Sequence, residues 1–327
     1  MLVKHFHREK DFFVCDVCPQ HCKLTENETG ICFGRSVVGG QFVVSNYLKI
    51  VSLSIDPIEK KPLYHFFPSS KILSTGPNGC NLSCRWCQNC EISQSKTITR
   101  KIDPDTLASN SVSDGSIGLA YTYSEPLIWQ ESILEIAPRV REMGGKNVLV
   151  TNGMIEVEPL KEILPYIDAA NVDLKFIRKD LYKKYTKGDL NVVQRTIEIL
   201  KSASCHLELT HLIVSEIADD SKHFLELVKW VQSFDHSTPL HISRYFPRFK
   251  WDKKQTDSSF MEQAQRMGSE YLEFIYVGNI GGFDNNTLCP SCGKLLISRN
   301  GYSVSVEGVD NNGMCRQCGR DVGIVMA

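Results

Sequence analysis

Gly79-Cys80-Asn81-Leu82-Ser83-Cys84-Arg85-Trp86-Cys87 sets three cysteines at C-x3-C-x2-C spacing. Three thiolates so close in sequence can hold three irons of a 4Fe-4S cluster and leave the fourth iron open to a substrate or cofactor. Cys90 prolongs the run to Cys84-x2-Cys87-x2-Cys90, which also looks like part of a ferredoxin stretch, where a fourth cysteine closes the cluster. The spacing alone leaves two readings open. One is an enzyme with a reactive iron; the other is a non-catalytic scaffold that holds partner proteins around a closed cluster and further metal sites.

Outward from the triplet, short apolar runs at residues 71–75, 117–123, 147–151, 170–175, 206–214, 240–244 and 273–277 alternate with helical patterns. Each is short and apolar enough for a buried parallel strand. Phe224, Leu227, Val228 and Val231 recur at i, i+3, i+4 and i+7 behind the capping candidates Asp219, Asp220 and Ser221; Val193, Ile197 and Leu200 follow a similar spacing. Pro138 predicts a kink or early stop in the helix expected between Leu127 and Met143. Strands separated by helices imply βαβ crossovers and an α/β fold, a partial parallel (β/α)6-type barrel over residues 71–283. In barrels of this kind chemistry collects at the C-terminal strand ends. The triplet follows the first strand, Glu125 the second and Asn152 the third, while Asp173 and Lys175 end the fourth and His241 lies in the sixth.

Two further cysteine groups flank the barrel. Cys289-x2-Cys292-Gly and Cys315-x2-Cys318-Gly are two knuckles separated by 22 residues, with Asn300-Gly301 offering a hairpin turn between them. This predicts a C-terminal zinc ribbon over 284–327 whose four thiolates close the metal in a structural site. Cys15, Cys18, Cys22 and Cys32 lie in a Cys-rich region over 1–70, which also holds a strand-like stretch at 41–54. Four thiolates suit zinc or an iron-sulfur cluster, and His21 could replace one of them. Zinc is the expectation there. Cys205, alone in an apolar segment, reads as a small core residue.

The 327 residues are 42% hydrophobic and 23% charged, enough for one large core with small appendages. A formal charge of -1 gives no overall field to gather nucleic acid. The local run Arg244, Arg248, Lys250, Lys253 and Lys254 reads as a solvated face. The N-terminus lacks the apolar core of a signal peptide, and no long uncharged apolar stretch follows. A cytoplasmic setting is expected, where thirteen cysteines serve as metal ligands in preference to disulfides.

Cys80-x3-Cys84-x-Trp86-Cys87 resembles the radical S-adenosylmethionine (SAM) signature. Gln88-Asn89, Tyr123-Ser124-Glu125-Pro126, Val150-Thr151-Asn152-Gly153 and Asn171-Val172-Asp173-Leu174-Lys175 resemble the pyruvate formate-lyase activating enzyme branch. The segment 56–65, Cys87-Gln88-Asn89, His241-Ile242-Ser243-Arg244 and the terminal knuckles are similar to the AmmeMemoRadiSam system radical SAM enzyme. The resemblance implies that Cys80, Cys84 and Cys87 ligate three irons while the amine and carboxylate of SAM chelate the fourth. It further implies that Trp86 lies near the adenine and that Tyr123, Ser124 and Glu125 stand where the family's Gly-Gly-Glu-Pro stretch meets the SAM amino group. Thr151, Asn152, Asp173, Lys175 and His241 match positions expected at the ribose or carboxylate. The implied cofactors are a 4Fe-4S cluster, SAM and zinc. The implied partners are an electron donor such as flavodoxin or ferredoxin, together with Memo-type and AMMECR-type proteins.

Overall fold

In the computed structural model, which describes residues 1–326, every one of the seven apolar runs is a strand of a single sheet. Its strands are β1 (Ser52–Pro57), β2 (Lys71–Gly76), β3 (Ser116–Tyr121), β4 (Lys146–Thr151), β5 (Ala169–Asp173), β6 (His206–Ile213), β7 (Leu240–Arg244) and β8 (Ile275–Gly278). They pair in chain order, and β2 to β8 run parallel. Consecutive parallel pairing sends every βα connection to one rim. The two edge strands do not pair with each other, so the sheet stays open. It nonetheless curls far enough for Asp56 of β1 and Asn279, just beyond β8, to line one cavity.

Strand interiors are apolar because helices cover the outer face. Leu119, Ala120, Val148, Leu149, Ala170, Val172, Leu209 and Ile242 are inaccessible to solvent. The helix Ser221–Asp235 starts where Asp220 Oδ1 accepts the His223 N–H at 2.8 Å. It buries Phe224, Leu227, Val228 and Val231, each contributing roughly 1.5–3 kcal/mol. Leu190–Ser202 does likewise behind Asp189, with Val193, Ile197 and Leu200 inward. Pro138 does not end its helix. Gln130–Glu142 runs through it, behind a 3₁₀ turn at Pro126–Trp129. The missing donor is outweighed by Ile133, Ile136, Ala137 and Val140 packed into the core.

β1 lies within the range expected for the Cys-rich region, yet it pairs antiparallel with β2 along its whole length, from Ser52 with Gly76 to Pro57 with Lys71. The stretch expected as one strand at 41–54 is broken into Gln41–Val44, Lys49–Ile50 and the start of β1. Ahead of β1, the strands Phe6–Glu9, Phe12–Cys15 and Lys23–Leu24 and the hairpin Arg35–Val38 with Gln41–Val44 enclose a small core of Val3, Phe13, Leu24, Val37 and Phe42. Cys205 is buried in the main core. The C-terminal segment forms a three-stranded antiparallel sheet, Thr287–Leu288, Leu295–Asn300 and Ser303–Val306, turning at Gly301-Tyr302, one residue later than expected.

The N-terminal region is joined to the barrel through a buried ion pair. Arg35 Nη2 donates to Glu131 Oε2 at 2.8 Å and Arg35 Nη1 to the Ile128 carbonyl at 3.0 Å, with both charged side chains only 2% exposed. Removing one partner strands the other charge away from water. Arg35→Met alone is expected to cost about 3–5 kcal/mol in anaerobic denaturant unfolding, and Arg35→Met with Glu131→Leu clearly less. Equal losses in the two variants would contradict this account.

Candidate active site

The loop after β2 brings Cys80, Cys84 and Cys87 to the wall of one cavity of about 520 Å³ at the C-terminal rim. The loop is held from several sides: Gly79 N–H donates to the Ile92 carbonyl at 2.8 Å, and Ser83 N–H to the Thr186 carbonyl at 2.8 Å. Donors face the sulfurs. Leu82 N–H and Asn152 Nδ2 approach Cys80 Sγ at 3.4 and 3.5 Å, and Ser93 Oγ lies 3.0 Å from Cys87 Sγ. Burial pushes the Cys84 thiol up to about 12, with Lys175 opposing. Three thiols in one wall, supplied with hydrogen-bond donors and a neighbouring cation, suit an iron-sulfur centre whose iron stabilises the thiolate form. Cys90 opens the turn Cys90–Ser93 and does not line the cavity.

The other walls come from successive strand ends. Glu125, after β3, is 1% exposed and accepts three hydrogen bonds: from Leu127 N–H at 3.0 Å, Thr151 Oγ1 at 2.5 Å and Asn152 N–H at 2.8 Å. Burial pushes its carboxyl up to about 7, against those donors and Lys175. Asn152, after β4, also donates to Asn81 Oδ1 at 3.0 Å and so ties this corner to the cysteine loop. Asn89 Nδ2 makes a second tie, to the Tyr123 carbonyl at 2.5 Å. Lys175, after β5, donates to Asp173 Oδ2 at 3.0 Å; burial works against its charge, but Asp173 and Cys84 hold it firmly protonated. Trp86 is buried edge-on against Phe176 at 5.5 Å between ring centres.

Facing the cysteines is a group the sequence reading did not assign. Asp56 Oδ2 accepts from Lys61 Nζ at 2.8 Å and from the Tyr123 hydroxyl at 2.9 Å, and Asp56 Oδ1 from Lys60 Nζ at 3.2 Å. Burial would raise the Asp56 carboxyl, yet these donors hold it at about 2. Tyr123 sits at φ +70°, a conformation costly for a bulky residue, with Ser124 Oγ donating to the Pro77 carbonyl at 2.5 Å. A signal was present in the two acidic and two basic residues of 56–61.

The structure brings Trp86, Tyr123, Ser124, Glu125, Thr151, Asn152, Asp173 and Lys175 to the cavity with the three cysteines. His241 is not among them. Its Nε2 lies 2.6 Å from Glu208 Oε2, deeper in the barrel, in a buried group with His206, Tyr64 and Tyr276. Ser243, two residues on, takes the cavity position instead. Glu208 went unassigned, although a carboxylate inside an apolar strand was its signal.

At the C-terminus, Cys289, Cys292, Cys315 and Cys318 place their sulfurs within 4.8 Å of one another, with Cys289 to Cys318 at 3.5 Å and Cys292 to Cys315 at 3.7 Å. That spacing fits one tetrahedral metal ion.

Comparison with known proteins agrees with this geometry. The family model of the radical SAM superfamily matches residues 75–231. The uncharacterised protein MJ0808 of Methanocaldococcus jannaschii is 38% identical over 299 residues, covering 89% of each chain. The 4-hydroxyphenylacetate decarboxylase activating enzyme of Clostridium scatologenes is 24% identical over 54% of this chain and 56% of its own. Among solved structures, Streptococcus suis SuiB bound to S-adenosylmethionine shares the fold at TM-score 0.51 and 11% identity, over 66% of this chain and 50% of that one. The matched span runs from the end of β2 into the helix before β7 and contains the cysteine triplet with all its partners up to Lys175; with a relative aligned along nearly its whole length, the chain belongs to the radical SAM superfamily, whose members are enzymes.

Proposed function

We propose that the protein is an activating-enzyme-like radical SAM enzyme that takes a hydrogen atom from a partner protein. The observation that carries the reading is the convergence of Cys80, Cys84 and Cys87 with Glu125, Asn152, Asp173 and Lys175 on one cavity. The three cysteines would hold the 4Fe-4S cluster. Reduced by one electron from a flavodoxin- or ferredoxin-type donor, that cluster supplies the cleavage of SAM to methionine and a 5'-deoxyadenosyl radical.

This chain's residues do the rest. Glu125 has one acceptor position left after its three hydrogen bonds, which suits the SAM ammonium. Lys175, kept charged by Asp173, suits the carboxylate. Trp86, edge-on to Phe176, offers an apolar flank for the adenine. The cysteine loop and the Tyr123 to Glu125 corner are tied together by Asn89 and Asn152, so cluster and SAM ligands are held in one frame. The wall of Asp56, Lys60, Lys61 and Tyr123 is left to face the substrate.

Two of the relatives, the C. scatologenes enzyme and a M. jannaschii protein named as a putative glycyl-radical enzyme activating enzyme, support a protein substrate. The finer placement, in the AmmeMemoRadiSam system with Memo-type and AMMECR-type partners, rests on the segment 56–65 and on the motif at His241 to Arg244. Zinc is the metal proposed for the four C-terminal cysteines, because their sulfurs stand near the tetrahedral spacing of about 3.8 Å that a Zn–S bond of about 2.3 Å requires.

Anaerobic reduction with dithionite in the presence of SAM should yield 5'-deoxyadenosine, detected by liquid chromatography. Cys80→Ala should lose both the SAM-responsive cluster signal and the product; Cys90→Ala should keep both. A Cys90→Ala protein without that signal, or a wild type whose reduced spectrum ignores SAM, would favour a scaffold. A pH dependence follows from Glu125. With a carboxyl at about 7, ionised above that pH and neutral below it, the affinity for SAM should fall about tenfold from pH 8 to pH 6. Glu125→Gln should flatten that slope in calorimetric titration of the cluster-loaded protein.

A further inference from the structure

The cysteine groups fall into two spacing classes. Among the described residues, Cys289, Cys292, Cys315 and Cys318 form the one group of potential ligands whose atoms close to within 4.8 Å of one another. Neither the central triplet nor any three of Cys15, Cys18, Cys22 and Cys32 does so. A single zinc needs its sulfurs about 3.8 Å apart. A cubane of irons and sulfides occupies the space between its thiolates and holds them farther apart. The N-terminal group therefore shares the spacing class of the cluster-binding triplet and differs from the compact knuckles.

Its surroundings point the same way. Cys15, Cys18 and Cys32 are buried, and Cys22 is half-buried. Main-chain N–H groups of Val17, Gln20 and Gly34 face the sulfurs of Cys15, Cys18 and Cys32. The Arg35 guanidinium lies beside Cys15, Cys18 and Cys32, and its Nε finds no hydrogen-bond partner although fully buried. N–H donors and a buried cation around well-separated thiolates are what an anionic cluster requires. His21, offered above as an alternative ligand, instead turns to the carboxylates of Asp16 at 3.5 Å and Glu156 at 3.4 Å.

The group also abuts the central loop. Gln20 Nε2, two residues from Cys18, donates to the carbonyl of Asn81, one residue from Cys80, at 2.8 Å. A Cβ on Gly79 would fall 1.9 Å from the Cys32 carbonyl oxygen, so only glycine lets the two loops touch.

We propose that Cys15, Cys18, Cys22 and Cys32 hold a second iron-sulfur cluster, seated against the loop of the central triplet, and that it exchanges single electrons with the cluster there. The proposal rests on the reading of the triplet given above. In the exchange a reduced one-electron carrier of the flavodoxin or ferredoxin class loses one electron, the N-terminal cluster gains it and passes it on, and no atom or proton moves.

The test uses the full chain, reconstituted anaerobically with iron and sulfide and assayed for iron, sulfide and zinc. The wild type should carry about eight irons, and Cys80→Ala/Cys84→Ala/Cys87→Ala about four, with a reduced paramagnetic resonance signal that SAM leaves unchanged. Cys15→Ser/Cys18→Ser should remove that signal; if this variant does not fold, the other two proteins decide. A triple variant holding zinc and no iron-sulfide overturns the site. Doubly reduced wild type should show a spectrum broadened by spin coupling beyond the sum of the two single-cluster forms, and its absence overturns the exchange. Wild type that keeps about eight irons but never cleaves SAM would sink the catalytic reading and leave this site standing.

Discussion

A carboxylate buried at the rim of a parallel sheet must find donors for its lone pairs, and Glu125 finds them on two neighbouring connections. Its bonds to Thr151 and Asn152 lock the loop after β3 to the loop after β4, and Asn152 passes the constraint to Cys80 and Asn81. The cavity wall is thus a set of loops that share one hydrogen-bonded corner. The same burial that makes the corner rigid places its carboxyl near neutrality, so structural and electrostatic roles meet in one side chain.

A second buried carboxylate does comparable work at the opposite end of the barrel. Glu208 accepts from the main-chain N–H groups of Tyr64 and His65 at 3.0 and 2.8 Å and meets the rings of His206 and His241. Its hydrogen bonds outweigh burial and hold it well below the usual carboxylate range. The segment after β1 is thereby drawn across the bottom of the barrel, where Arg299 donates to the Tyr64 carbonyl at 2.7 Å and the Tyr276 hydroxyl pairs with Thr287 at 2.8 Å. The C-terminal sheet is fastened to the barrel through these same contacts.

The seven parallel strands were legible because strands buried on both faces read as continuous apolar runs. β1 was not. As an edge strand it pairs on one side only, and Ser52-Leu53-Ser54-Ile55-Asp56-Pro57 keeps mostly partly exposed or polar positions that resemble a loop. The rim residues were legible as polar positions at strand ends. His241 was misplaced for a physical reason: the period of two puts His241 and Ser243 on the same face, but they stand about 7 Å apart along the strand. Face can be read from a sequence; depth along the barrel depends on where neighbouring strands begin. That no three of the N-terminal thiols close to within 4.8 Å, likewise, shows only in three dimensions.

Tyr64, His65 and the C-terminal sheet lie across the lower end of the barrel, so the cysteine-lined cavity sits at the opposite end. Asp56, Lys61, Tyr123 and Asn279 bring the ends of both edge strands to that cavity. Under the proposed chemistry, a substrate chain lying across Asp56, Lys61 and Tyr123 would cover a bound cofactor, which would then have to enter before that chain and leave after it.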